Sequence, residues 1–165
     1  MKQLPMMCLI VVVAVVTVAA QKQEYGVTVT ADRKADFSAY KSYSWDPKSM
    51  AVLDKNVHQQ VVDAVDREMK SLGFEKRPSA PADVRVAYAT QRRVDVDTSS
   101  KLPPGQLPEY TVGTLVVVMR ESANDKEVFK ARVKKPIELT PDKIKTTIDG
   151  VVAEMFAKYP TRTRK

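Results

Sequence analysis

Val84-Arg85-Val86-Ala87-Tyr88-Ala89-Thr90-Gln91-Arg92-Arg93-Val94-Asp95-Val96 is the stretch from which the fold class can be read. Val84, Val86, Tyr88, Thr90, Val94 and Val96 share one parity, and Arg85, Gln91, Arg93 and Asp95 share the other. Side chains alternate faces along a strand, so the pattern describes an antiparallel strand with one buried and one wet face. Arg92 interrupts the apolar side and marks either the wet end of the strand or a bulge.

Toward the C-terminus, residues 97–109 are rich in Ser, Pro and Gly with almost nothing to bury, and read as a mobile loop. Tyr110 to Arg120 is a further strand. Its unbroken Leu115-Val116-Val117-Val118-Met119 run suggests burial on both faces, or a helix over one and the long loop over the other. After a polar turn, the return strand Val128 to Lys134 points Phe129, Ala131 and Val133 inward and Lys130, Arg132 and Lys134 outward. Thr140-Pro141 opens a second helix, with the Thr hydroxyl as cap and Pro in the first turn. Its apolar face runs from Ile144 to Tyr159, Pro160 stops it, and 161–165 form a basic tail.

Toward the N-terminus the period becomes helical. Leu53, Val57, Val61, Ala64, Val65, Met69 and Leu72 draw one apolar stripe. Asp63–Arg67 and Asp66–Lys70 read as i,i+4 surface pairs, and Gly73 is placed to cap the helix, with Phe74 folding back. Before it, Val27 to Ala31 alternates as a first strand, and Ser42-Tyr43-Ser44-Trp45 as a short second one that Asp46-Pro47 ends. The order β-β-α-β-β-β-α gives an α+β fold: a mostly antiparallel sheet of about five strands, with both helices on one face.

The first 20 residues read as a signal peptide, with Lys2, an apolar run from Leu9 to Ala20, and small residues before Gln21. Retention of Leu4 to Ala20 as an anchor is the alternative. Residues 21–165 then form a single domain. Cys8, the only cysteine, lies before the apolar run, where it cannot become a lipidated first residue. A mature chain without Cys excludes disulfides, thiolate metal sites and Cys nucleophiles. These features imply an exported protein of the periplasm or cell envelope, not lipidated and not transmembrane once the leader is removed.

The chain carries 27 basic and 20 acidic residues, and residues 126–165 alone hold 11 basic against 5 acidic. Such an excess favours anionic partners or serves as a solvated face.

The stretch Asp36-Phe37-Ser38-Ala39-Tyr40-Lys41-Ser42-Tyr43-Ser44-Trp45 adds a resemblance. With Val65-Asp66, Gly73-Phe74, Ala82-Asp83, Val86-Ala87-Tyr88, Gly113-Thr114-Leu115-Val116-Val117 and Tyr159-Pro160 in this order, it resembles a bacterial cell-envelope family of unknown function. Its members are mostly lipoproteins. The resemblance implies the same fold and compartment and no catalytic residue. Two positions depart from the pattern: Gln21 stands where a lipid-acceptor Cys would, and Phe129 where the family usually has Trp.

Candidate sites are few. His58 is the only histidine, and a lone His assembles neither a metal site nor a general-base pair without partners from elsewhere. Asp95 and Asp97 share a strand face, but a Ca²⁺ site needs about six to eight oxygens. Asp63 and Asp66 fit helix surface pairs better than an acid/base pair. Neither phosphate-loop, hydrolase-elbow nor zinc-binding spacings occur, so the sequence implies no cofactor and no catalytic residue. Lys130, Arg132, Lys134 and Lys135 form a possible patch for an anionic partner, with Arg162, Arg164 and Lys165 as an extension. Nucleic acid is disfavoured for an exported chain without its usual modules. The expected function is non-enzymatic binding of an envelope protein or an anionic lipid or glycan. The alternatives are a small hydrolase near the 97–109 loop, which requires His58 to converge with Asp95 or Asp97, and a scaffold that assembles through an open sheet edge.

Overall fold

The computed structural model describes residues 25–47, 54–78, 81–97, 105 and 108–160. The leader, most of the 97–109 loop, the start of the first helical stripe at Leu53, and the basic tail lie outside the described residues. The elements are β1 (Gly26–Ala31), β2 (Ser42–Trp45), α1 (Lys55–Ser71), β3 (Glu75–Lys76), β4 (Val84–Val96), β5 (Glu109–Glu121), β6 (Glu127–Pro136) and α2 (Pro141–Ala157). The fold is α+β, as the alternation and the two apolar stripes require.

The sheet has six strands in the order β1-β6-β5-β4-β2-β3. Pairings among β1, β6, β5 and β4 are antiparallel, whereas β2 runs parallel to both β3 and β4. The parallel pairing follows from connectivity, since the chain between β2 and its neighbours passes through α1, the crossover that parallel strands need. The sixth strand, β3, has two exposed residues and therefore no hydrophobic pattern to announce it.

Register places Val86, Met119, Phe129 and Ala31 in one cross-strand row, and Val84, Val86, Leu115, Val117, Met119, Phe129, Ala131 and Val133 are all buried. The same core takes in Val61, Ala64, Val65 and Met69 of α1, with Val151, Val152, Met155 and Phe156 of α2. The continuous apolar run of β5 is thus buried on one face only: Val116 and Val118, of opposite parity, remain partly exposed. Arg92 marks no bulge, because β4 pairs with β5 without interruption from Val84 to Val96. The irregularity lies instead in the β5–β6 ladder, at Met119/Arg120.

Helix ends follow local chemistry. The Asp54 carboxylate caps α1 by accepting the N–H groups of Asn56 and Val57 at 2.9 and 3.2 Å. At its other end Gly73 has φ 81°, and the N–H of Phe74 bonds the Met69 carbonyl at 3.0 Å. This six-to-one closure with a left-handed glycine is a Schellman turn. For α2 the expected hydroxyl cap is corrected: Thr140 occupies the N-cap position but its side chain makes no capping bond. Pro141 stands at the first helical position, where its missing N–H leaves one fewer unpaired donor.

The aromatic opening stretch pins the sheet to the helices. Phe37, Tyr40, Phe74, Phe129 and Tyr159 form a chain of ring contacts, with Phe37–Tyr159 centroids 5.3 Å apart and Phe129–Tyr159 5.1 Å apart. Asp83 accepts the N–H groups of Lys41 and Ser42, each at 2.8 Å, together with the Ser42 hydroxyl at 2.9 Å. Those bonds hold the carboxyl of Asp83 below the usual range, the backbone donor of Lys41 contributing most.

Candidate functional site

Two surfaces stand out, one on each face of the sheet. The face opposite the helices carries Lys130, Arg132 and Lys134, which alternate with the buried Phe129, Ala131 and Val133. Their cross-strand partners on β5 are Val118, Val116 and Thr114. Next across, Ala87 pairs with Val118 and Ala89 with Val116. A basic row therefore borders a strip of small apolar side chains. Arg85 and Arg120 add charge on this face, but Asp125 lies 2.7 Å from the first and 3.8 Å from the second. Within the row, Lys130 stands 4.0 Å from Glu127, and the Lys134 ammonium lies 5.8 Å from the Tyr25 ring centroid. The Tyr25 hydroxyl shares a 2.8 Å hydrogen bond with Tyr110, which pushes its pKa up to about 12.

Lys135 does not belong to this row. The period of two turns it to the helix side of the sheet, where it lines a groove of about 630 Å³. The groove opens between the sheet and the N-terminal halves of both helices, with Val57 and Val61 from α1 and Ile144, Ile148 and Val151 from α2 as walls. Its floor is built in cross-strand rows. Arg92, Gly113 and Lys135 form one row, and Thr90, Leu115 and Val133 form the next. A Cβ on Gly113 would sit 3.0 Å from two carbons of Ile137, so the missing side chain is what lets Ile137 fold over the floor.

His58 lines this groove and sits 2.6 Å from the Tyr88 hydroxyl through Nδ1, its ring stacked at a centroid distance of 5.8 Å. Burial raises the Tyr88 phenol above its ordinary pKa. Asp95 and Asp97 do not line the groove. Asp95 has the wet-face parity and is held by Arg93 at 2.6 Å, while Asp97 turns the strand end through its N–H to the Pro108 carbonyl. The structure therefore does not bring His58 together with either carboxylate.

Asp63 and Asp66 are not the surface pairs that their spacing suggests. Asp63 accepts from Gln59 at 2.7 Å. Asp66 accepts the Tyr43 hydroxyl at 2.7 Å, the Trp45 indole at 2.9 Å and the Lys76 ammonium at 2.6 Å. Arg67 reaches across to Asp149 of α2 at 3.2 Å. Asp66 is thus a structural tie from α1 to β2 and β3.

Among the described residues there is no cluster of three or more His, Cys, Asp or Glu side chains able to hold a metal ion, and no helix is long and apolar enough to cross a membrane.

Residues 27–161 match the domain of unknown function DUF4136. The chain belongs to the DUF4136 family. A DUF4136 family protein from Bacteroides thetaiotaomicron VPI-5482 has the same fold, at 15% identity and a TM-score of 0.57, over 87% of this chain and 100% of that one. The PelC dodecamer from Paraburkholderia phytofirmans matches at 12% identity and a TM-score of 0.56, over 86% of this chain and 100% of its own. A PDZ domain protein from Parabacteroides distasonis ATCC 8503 matches at 10% identity and a TM-score of 0.53, over 82% of this chain. This DUF4136 chain spans only 36% of that last protein. No curated protein matches the sequence.

Proposed function

We propose that this DUF4136 protein is an exported, non-enzymatic domain of the cell envelope that docks onto an anionic lipid or glycan surface through the open face of its sheet. The observation that carries the reading is the row Lys130, Arg132 and Lys134 beside the partly exposed strip of Val116 and Val118. Charges on one strand face, with small apolar groups beside them, suit a flat anionic surface better than a small charged molecule. The leader-like N-terminus supports the compartment. A hydrolase built on His58 with Asp95 or Asp97 finds no support, since neither carboxylate lines the groove that holds His58.

Cations near an anionic membrane surface contribute roughly 1 kcal/mol each at physiological salt. Replacing Lys130, Arg132 and Lys134 by Glu therefore weakens co-sedimentation with phosphatidylglycerol vesicles by on the order of a hundred-fold or more, and raised salt weakens the wild type in the same direction. Wild-type binding that is absent at low salt, or unchanged in the triple variant, would overturn the reading. Capture of an envelope protein by both forms alike would assign the domain to protein–protein assembly instead.

A further inference from the structure

The groove on the helix side of the sheet is graded from charged to apolar along its length. At its mouth Arg92 and Lys135 flank Gly113 on three adjacent strands. Neighbouring strands lie about 4.8 Å apart, so the two cationic residues stand about 10 Å apart across the row. Ile137 folds over Gly113 between them, and two long, flexible side chains at that spacing can reach past it to hold one small anion at the groove entrance. One row deeper the floor becomes Thr90 with the buried Leu115 and Val133, and the helices contribute Val57, Val61, Ile144, Ile148 and Val151 beside His58 and Thr147.

Among the described residues, the acidic side chain lining the groove is Asp54, whose carboxylate accepts the first N–H groups of α1. It is thereby set against the positive helix end. A cavity of about 630 Å³ is in the range that holds a small organic ligand. A sugar or nucleotide seated over Leu115 and Val133 would leave polar groups facing aliphatic carbon, at a cost for each one left unpaired. A hydrocarbon chain meets no such cost, and the cationic mouth selects a chain that ends in a negative charge.

We propose that this groove is a binding site for a single-chain anionic amphiphile of the fatty-acid class. The carboxylate meets Arg92 and Lys135 above Ile137, which covers Gly113 between them, and the acyl chain runs inward over Leu115 and Val133 between α1 and α2. The Tyr88 hydroxyl, already bonded to His58, keeps the polar edge of the groove satisfied when water leaves. The site faces away from the row Lys130, Arg132 and Lys134, so it stands or falls independently of docking through that row.

The test uses the purified full chain and displacement of a fluorescent fatty acid, dansylaminoundecanoic acid. Octanoate, decanoate, dodecanoate and the neutral dodecanol serve as competitors. Each added methylene that seats in the groove tightens binding about four-fold. Dodecanol competes at least about ten-fold less well than dodecanoate, as expected when a charge-assisted contact is lost. Arg92→Glu with Lys135→Glu, both at exposed positions, abolishes the preference for the acid while circular dichroism and the melting temperature stay unchanged. Thr147→Trp, which narrows the groove without touching either cation, weakens every competitor alike. Failure of the wild type to bind the probe would overturn the proposal, as would an affinity independent of chain length. Equal competition by acid and alcohol, or indifference to the charge reversal, would overturn the assignment of the headgroup. Loss of fatty-acid binding in the variant lacking Lys130, Arg132 and Lys134, with no loss in the Arg92 and Lys135 variant, would place the ligand on the other face and overturn it too.

Discussion

Asp66 on α1 accepts the indole N–H of Trp45 on β2 at 2.9 Å, and the same oxygen accepts the Tyr43 hydroxyl at 2.7 Å. The other carboxylate oxygen meets Lys76 of β3 at 2.6 Å. One side chain thus joins the helix to both strands at one edge of the sheet. Those strands are short, and the bonds to Asp66 hold them where little ladder can.

Asp66→Ala strands the phenol and the indole N–H in a part-buried setting. Leaving a fully buried donor unpaired costs about 1–3 kcal/mol; with two donors that are only part-buried, the variant loses roughly 2–4 kcal/mol. Asp66→Asn keeps an acceptor and loses less. Urea unfolding followed by the fluorescence of the single Trp reads both; equal stability of Asp66→Ala and wild type would remove the tie from the account.

Acid should loosen the same end of the molecule. Donors from Lys41 and Ser42 lower the pKa of Asp83, the Tyr40 hydroxyl does the most to lower that of Glu121, and Lys145 followed by Arg67 lower that of Asp149. A depressed folded-state pKa contributes stability that is complete above the ordinary values of 3.8 for Asp and 4.5 for Glu and is lost as pH falls through the folded value. The urea midpoint is therefore flat near neutrality and drops below about pH 4.5. In Asp83→Asn that drop is smaller, because the Asn side chain does not titrate.

Alkali acts through the buried phenols. Burial, and after it the bonds to Glu121 and Asp66, push the pKa values of Tyr40 and Tyr43 above their ordinary 10.0. Raised folded-state values give stability that is whole below 10 and lost as pH climbs beyond it. Absorbance titration of tyrosinate should show a late-ionising class, with unfolding above pH 10 as it ionises. In Tyr43→Phe that class is smaller, and the fold is weaker at neutral pH by about 1 kcal/mol.

Phe129 fills its site completely. It is fully buried, with Phe156 at 5.9 Å and Tyr159 at 5.1 Å between ring centroids. The Trp that the family resemblance leads one to expect there would add volume to this packed cluster: Phe129→Trp should lose about 1–3 kcal/mol by overpacking, and Phe129→Ala about 3–5 kcal/mol by leaving a cavity. A more stable Trp variant would show that the ring cluster is looser than its contacts indicate.

The sequence by itself determined the elements whose signal is periodic: β4 by its alternation, the stripes of α1 and α2, and the inward set Phe129, Ala131 and Val133. It also determined local chemistry that needs no distant partner, such as the Gly73-Phe74 helix end. What it could not determine depends on residues far apart in the chain. Spacing alone paired Asp66 with Lys70, because a helix surface offers i,i+4 neighbours, whereas its actual partners come from β2 and β3. Lys135 looked like one more member of a basic run until the strand's alternation turned it to the opposite face from Lys134. The row Arg92, Gly113 and Lys135 draws on three strands, and only their register brings it together. Periodicity is a property of neighbours along the chain, and a site is a property of neighbours in space. The tertiary fold decided this one because a sheet's register aligns residues that no local pattern connects.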